Sequence, residues 1–127
     1  IHPEIIEAKF IKIKTITLDN LINYLSTKEN LIINENDNPS LVIDVQGAEL
    51  QTIKGCSNER LSIFKYLLVE TSNFYAYENQ DLHHEVCLYL EERNFKPIAI
   101  VKKSISKNDR FFTDTLFVNL DHKSLKI

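Results

Sequence analysis

Residues 41–56, LVIDVQGAELQTIKGC, carry the sharpest change of hydrophobic period in the chain. Leu41, Val42 and Ile43 run apolar without a break and stop at Asp44. Gly47 follows, and residues 48–54 take helical spacing up to Gly55. That switch predicts a strand, a tight turn and a short helix closed by Gly55 as a left-handed cap. The unbroken run at 41–45 predicts a strand covered on both faces, as in parallel sheets. Residues 66–71, YLLVET, repeat the arrangement and end on Glu70. Two such strands around one helix predict a right-handed parallel βαβ unit. Asp44 and Glu70 then share one edge of the sheet.

The rest of the chain reads as alternating elements. Residues 10–16 place Phe10, Lys12, Lys14 and Ile16 on one parity and Ile11, Ile13 and Thr15 on the other. This predicts a strand, with its lysines suited to a sheet edge. Leu18, Leu21, Ile22 and Leu25 have helical spacing over 17–26, with Thr17 as N-cap. Residues 29–39 form a connector in which 31–33 pack against the domain and the polar 34–39 turn. An aromatic loop at 72–79 holds Phe74, Tyr75 and Tyr77. The longest helix spans 81–93, with Leu82, Val86, Tyr89 and Leu90 facing inward. Asn94 suits a left-handed residue at its end. Strands at 95–101 and 111–120, joined by the polar 104–109 turn, predict an antiparallel hairpin. Pro97 limits pairing near the start of the first.

Composition narrows the class. A chain of 127 residues makes one domain at most. Its 43% apolar and 26% charged content suits a soluble globular domain. The net charge of −3 and dispersed lysines argue against nucleic acid as the main partner. No apolar run approaches the ~20 residues of a membrane span. The first residues lack the apolar core of a signal peptide. Cys56 and Cys87 make neither a disulfide framework nor a zinc spacing, which suits buried thiols in a reducing, cytoplasmic setting. Gly47 and Gly55 are the only glycines, so no G-x-G turn is present to cradle a nucleotide.

Ligands of α/β sheets bind beyond the carboxyl ends of the strands. Asp44 can act there as a proton acceptor or can cap its own turn. Gly47 permits positive φ or close approach of another group. Glu49 falls in the first helical turn, where a negative charge gains about 0.3–1 kcal/mol. Glu70 can bind substrate hydroxyls or satisfy the loop beyond it. The loop aromatics can stack on an acceptor or anchor the loop. His83 and His84 point about 100° apart on a helix, so one lies at the buried margin and the other in water.

Ile43, Asp44, Val45, Gln46, Gly47, Ala48, Glu49, Ile53 and Gly55 together resemble the signature segment of the FkbM-type methyltransferases. There a strand ends in I-D-V/T-E/Q-G, followed by A/Y-E and Leu-x-Gly; Ile53 stands in the Leu position. TLD at 17–19, VE at 69–70 and DTLFV at 114–118 resemble further family segments in the same order. Asn94 stands where the family usually has Gly. The resemblance implies an α/β fold: a partial Rossmann-like class I methyltransferase sheet, parallel strands plus a C-terminal antiparallel hairpin. Its strand order would be 41–45, 66–71, 111–120, 95–101. It implies that residues 1–127 are one domain, the C-terminal half, whose N-terminal partner carries the cofactor loop. The fragment alone is then expected to be inactive.

The implied function is adenosylmethionine-dependent O-methylation of a sugar or small polyol. Asp44 would be catalytic and, with Gln46, would touch S-adenosylmethionine. Glu70, Asn73 and Tyr75 would bind substrate, and Gly47, Glu49 and Gly55 would hold the turn. No metal is assigned, although Asp44, Glu70 and Asn73 roughly follow the layout of Mg²⁺-assisted relatives. The implied partners are a small-molecule or carbohydrate acceptor, with no nucleic acid and no membrane, and a sheet edge open to oligomers. The alternative is a non-catalytic α/β interaction domain that has lost its cofactor loop.

Overall fold

The computed structural model describes residues 10–104 and 108–126. The middle of the predicted 104–109 turn lies outside them. Four strands form one sheet: β1 (Ser40–Ile43), β2 (Tyr66–Ser72), β3 (Phe95–Ser104) and β4 (Phe111–Asn119). Their order is β1-β2-β4-β3, with β1 and β2 parallel and β4 antiparallel to both of its neighbours. This is the order expected above. The β3–β4 register slips between Pro97 and Ala99, where proline has no N–H to give the ladder.

Among the described residues four α-helices accompany the sheet: α1 (Leu18–Lys28), α2 (Glu49–Lys54), α3 (Asn58–Leu61) and α4 (His83–Glu91). Thr17 caps α1 by accepting from the Asn20 amide at 3.2 Å. At α4, Glu85 reaches back to the Leu82 amide at 2.7 Å. Asn94 turns the chain out of α4 at φ 61°. Helices α2 and α4 touch each other and both pack on β2, and α4 also packs on β3. Between them and the sheet lie Ile53, Leu67, Val69, Val86, Leu90 and Phe117, all at most 1% exposed. Each such side chain contributes roughly 1.5–3 kcal/mol by leaving water.

Four expectations are corrected. Residues 10–16 form no strand; Phe10, Ile11, Ile13 and Ile16 are exposed. Alternation needs a neighbour to supply the ladder, and among the described residues no strand pairs with this segment. The apolar run at 41–45 is not covered on both faces. Strand β1 ends at Ile43, and only one of its faces is covered: Ile43 is buried while Val42, on the other face, is 67% exposed. Gly55 is not a left-handed cap, because its φ is −74°. A Cβ there would meet the Thr52 carbonyl oxygen at 3.3 Å and lie in ordinary contact with the Thr17 Cβ at 3.4 Å, and the Gly55 carbonyl accepts from the Asp19 amide at 3.1 Å. Leu31 and Ile32 are likewise exposed, and of that trio only Ile33 packs on the core.

Helix α1 has no fully buried residue. Its partly buried Leu18 and Ile22 pack against the core, and polar contacts add to that hold at its rim. Arg60 donates to the Asp19 carbonyl at 2.7 Å and to Asn23 Oδ1 at 2.5 Å, and Asp19 accepts from the Ser57 amide at 3.0 Å.

Candidate functional site

Parallel pairing sets Ile43 beside Val69, so Asp44, just past the end of β1, emerges at the carboxyl edge next to Glu70, which is still within β2. Beyond Asp44 the backbone makes two left-handed steps, Gln46 at φ 54° and Gly47 at φ 104°. The buried Glu49 carboxylate holds that turn. It accepts from the Val45 amide at 3.2 Å and, through both oxygens, from the Gly47 amide at 3.1 Å. Glu49 therefore binds the turn that precedes its helix, not the helix's own first amides. A Cβ on Gly47 would come within 2.8 Å of the Tyr77 ring, so glycine is needed there for both its φ and its size.

Gln46 ties the two acids together. Its Nε2 donates to Asp44 Oδ1 at 2.5 Å and to Glu70 Oε2 at 3.4 Å, while its Oε1 accepts from the Tyr77 hydroxyl. A third acid, Asp114, stands opposite Glu70 in the β2–β4 register. Lys103 meets Asp114 at 2.9 Å and Glu70 at 4.0 Å. Its hydrogen bond and charge pairing with Asp114 push the Lys103 ammonium above its ordinary value. The hydrogen bond to Asp44 is the largest influence on Glu70. With burial and the charges of Asp44 and Asp114, it raises the Glu70 carboxyl above its ordinary value of 4.5. Lys103 pulls the other way.

Gln46 and Glu70, with Gly47, Glu49, Thr71, Tyr77, Gln80 and Phe112, line a small cleft beside these groups; Asp44, Lys103 and Asp114 stand outside its lining. Its far wall is a loop stapled by the buried Gln80. That side chain accepts from the amides of Ala76 (2.9 Å) and Tyr77 (3.1 Å) and donates to Ser72 Oγ at 2.7 Å. Asp44, Gln46, Gly47, Glu49 and Glu70 thus come together as expected.

Asn73 and Tyr75 do not join them. Asn73 is engaged by the hairpin, donating to the Asp109 carbonyl at 2.8 Å and accepting from the Phe111 amide at 2.9 Å. The layout that would hold Mg²⁺ therefore lacks its third ligand. Tyr75 is 70% exposed and lies outside the cleft lining. Phe74 anchors its loop edge-on against Phe112. His84 is exposed, and His83 is half-buried with Nδ1 2.8 Å from Thr71 Oγ1. Burial first, then the charges of Lys102 and His84, lowers the His83 imidazole from its ordinary 6.5. Gln80, Lys103 and Asp114 were not singled out from the sequence, because strand register and loop closure bring them in from remote positions.

No helix among the described residues is long and apolar enough to cross a membrane. The search of curated proteins and the search of solved structures each gave no match. The family model described as Methyltransferase FkbM domain matches residues 2–97, three-quarters of the chain. With the Asp44–Gly47 turn at the end of a parallel strand, that match assigns the chain to the FkbM methyltransferase domain family.

Proposed function

We propose that this chain forms the acceptor side of an adenosylmethionine-dependent methyltransferase that O-methylates a sugar or small polyol in the cytoplasm. The observation that carries the reading is the pair Asp44 and Glu70, on adjacent parallel strands, joined by one Gln46 amide. The free thiols Cys56 and Cys87 support a reducing setting.

The residues suit the cofactor in chemistry. Two carboxylates and an amide favour a cationic sulfonium and ribose hydroxyls. The cleft has room for about one water molecule, about 10 Å³ against the roughly 300–1,000 Å³ typical of small-molecule sites. Asp44 and Gln46 would therefore hold one end, and we assign the remaining wall to a preceding half of the domain. When bound, adenosylmethionine supplies an electrophilic methyl group. Asp44 accepts the proton of the acceptor hydroxyl. Glu70, whose carboxyl keeps its proton to higher pH, binds a neighbouring hydroxyl. Glu49 keeps the turn rigid so that both acids stay aimed. In this reading Asn73 and Tyr75 serve substrate binding only from the rim.

The test is isothermal titration of the intact full-length protein with adenosylmethionine. Saturable binding is expected. No binding would reject the reading and leave the non-catalytic interaction domain in its place.

A further inference from the structure

We propose that Tyr77 is a positioning residue of this site: acting through the Gln46 side chain, it fixes the Asp44 carboxylate where the acceptor hydroxyl is met. The inference rests on the reading of Asp44 as the proton acceptor.

Gln46 sits on an exposed turn at φ 54° and has a long, rotatable side chain. Only polar contacts can hold such an amide in one pose. An ionised carboxylate has no hydrogen to give, so the amide must turn Nε2 toward Asp44 and Glu70 and Oε1 away from them. Oε1 then needs a donor, and the Tyr77 hydroxyl is that donor. The network is polarised in one direction, from phenol to amide to acids.

Tyr77 is itself held at both ends. Gln80 accepts from its backbone amide at 3.1 Å, and its ring lies on Gly47, where a Cβ would sit 2.8–2.9 Å from ring and Cβ carbons. The buried Gln80 fixes the loop, the loop fixes the ring, and the ring places the hydroxyl. The absent side chain at Gly47 is what admits the ring. The raised Glu70 carboxyl agrees with two acids brought close enough to share a proton.

The test is Tyr77→Phe in the intact protein, with no cofactor added. Phenylalanine keeps the ring on Gly47 and removes only the hydroxyl. By NMR, the Gln46 side-chain amide signals should move and broaden. The Glu70 titration midpoint should rise by a few tenths of a pH unit as the donor shared with Asp44 loosens. The same substitution in a Gln46→Ala background should then change nothing further. Unchanged Gln46 signals and midpoint in Tyr77→Phe would overturn the proposal. So would an equal shift of Glu70 with Gln46 already removed, since Tyr77 would then act by another route. If adenosylmethionine fails to bind while these shifts appear, the functional reading falls and the hold of Tyr77 on Gln46 stands. If it binds and the shifts are absent, the proposal for Tyr77 fails alone.

Discussion

Glu49 places its carboxylate in a buried position and spends it on backbone. Removing it leaves the Val45 and Gly47 amides without their acceptor. Buried unpaired donors cost about 1–3 kcal/mol each, so Glu49→Ala should lose about 2–3 kcal/mol in urea denaturation. Glu49→Gln, which keeps one acceptor oxygen, should lose about half of that. Glu70 makes a pH prediction. Its folded value lies above 4.5, so its contribution to stability is full below 4.5 and is lost as pH rises through the folded value. Glu70→Gln should therefore gain on the wild type between about pH 4 and about pH 7, read as the difference in urea midpoints. At this scale the sequence showed much. Asp44, Gly47 and Glu70 were readable because each ends or follows an apolar run. Lys103 and Asp114 were not, because only the β2–β4 and β3–β4 registers bring them to Glu70.

Elements show where local pattern stops being sufficient. The helical stripe of α1 and its Thr17 cap were legible, yet the helix is held at its rim by Arg60. Arg60→Ala should leave the sheet folded and cost about 1–2 kcal/mol. Hydrogen exchange should quicken in α1 and stay slow in β2 and β4. The turn before α2 makes a sharper case. Gly47→Ala forces a side chain into φ 104° and against Tyr77, and should cost about 2 kcal/mol or more by thermal denaturation. Gly55 looked similar in sequence, but its φ is −74° and the tightest contact a Cβ would make there is with the Thr52 carbonyl oxygen at 3.3 Å. The alternation at 10–16 mimics a strand, since side-chain parity says nothing about whether a neighbour is there to pair with. The four-residue α3 gave no periodic signal because it spans about one turn.

The whole molecule is a sheet with α2 and α4 packed together against its strands and a polar cleft at one carboxyl edge. Its strand order was legible through the family resemblance, and the resemblance and the topology agree. Two titrating groups near that edge act in opposite directions. His83 is lowered from 6.5, so its contribution is present above 6.5 and is lost as pH falls through the folded value. Glu70 loses its contribution as pH rises. Replacing His83 by Gln should therefore reduce the loss of stability on acidification from about pH 7 to about pH 5. The open edge of β1, with Val42 and Val45 exposed, supports our reading that further chain pairs there.

The central claim is that Asp44, Gln46, Gly47 and Glu70 form one wall of a methyl-transfer site. The most direct measurement is NMR shift mapping of the intact protein during titration with adenosylmethionine. The account predicts that the Gly47 backbone amide and the Gln46 side-chain amide move most, with Glu70 and Tyr77 close behind. Saturable shifts centred on another part of the surface, with these four residues unmoved, would contradict it.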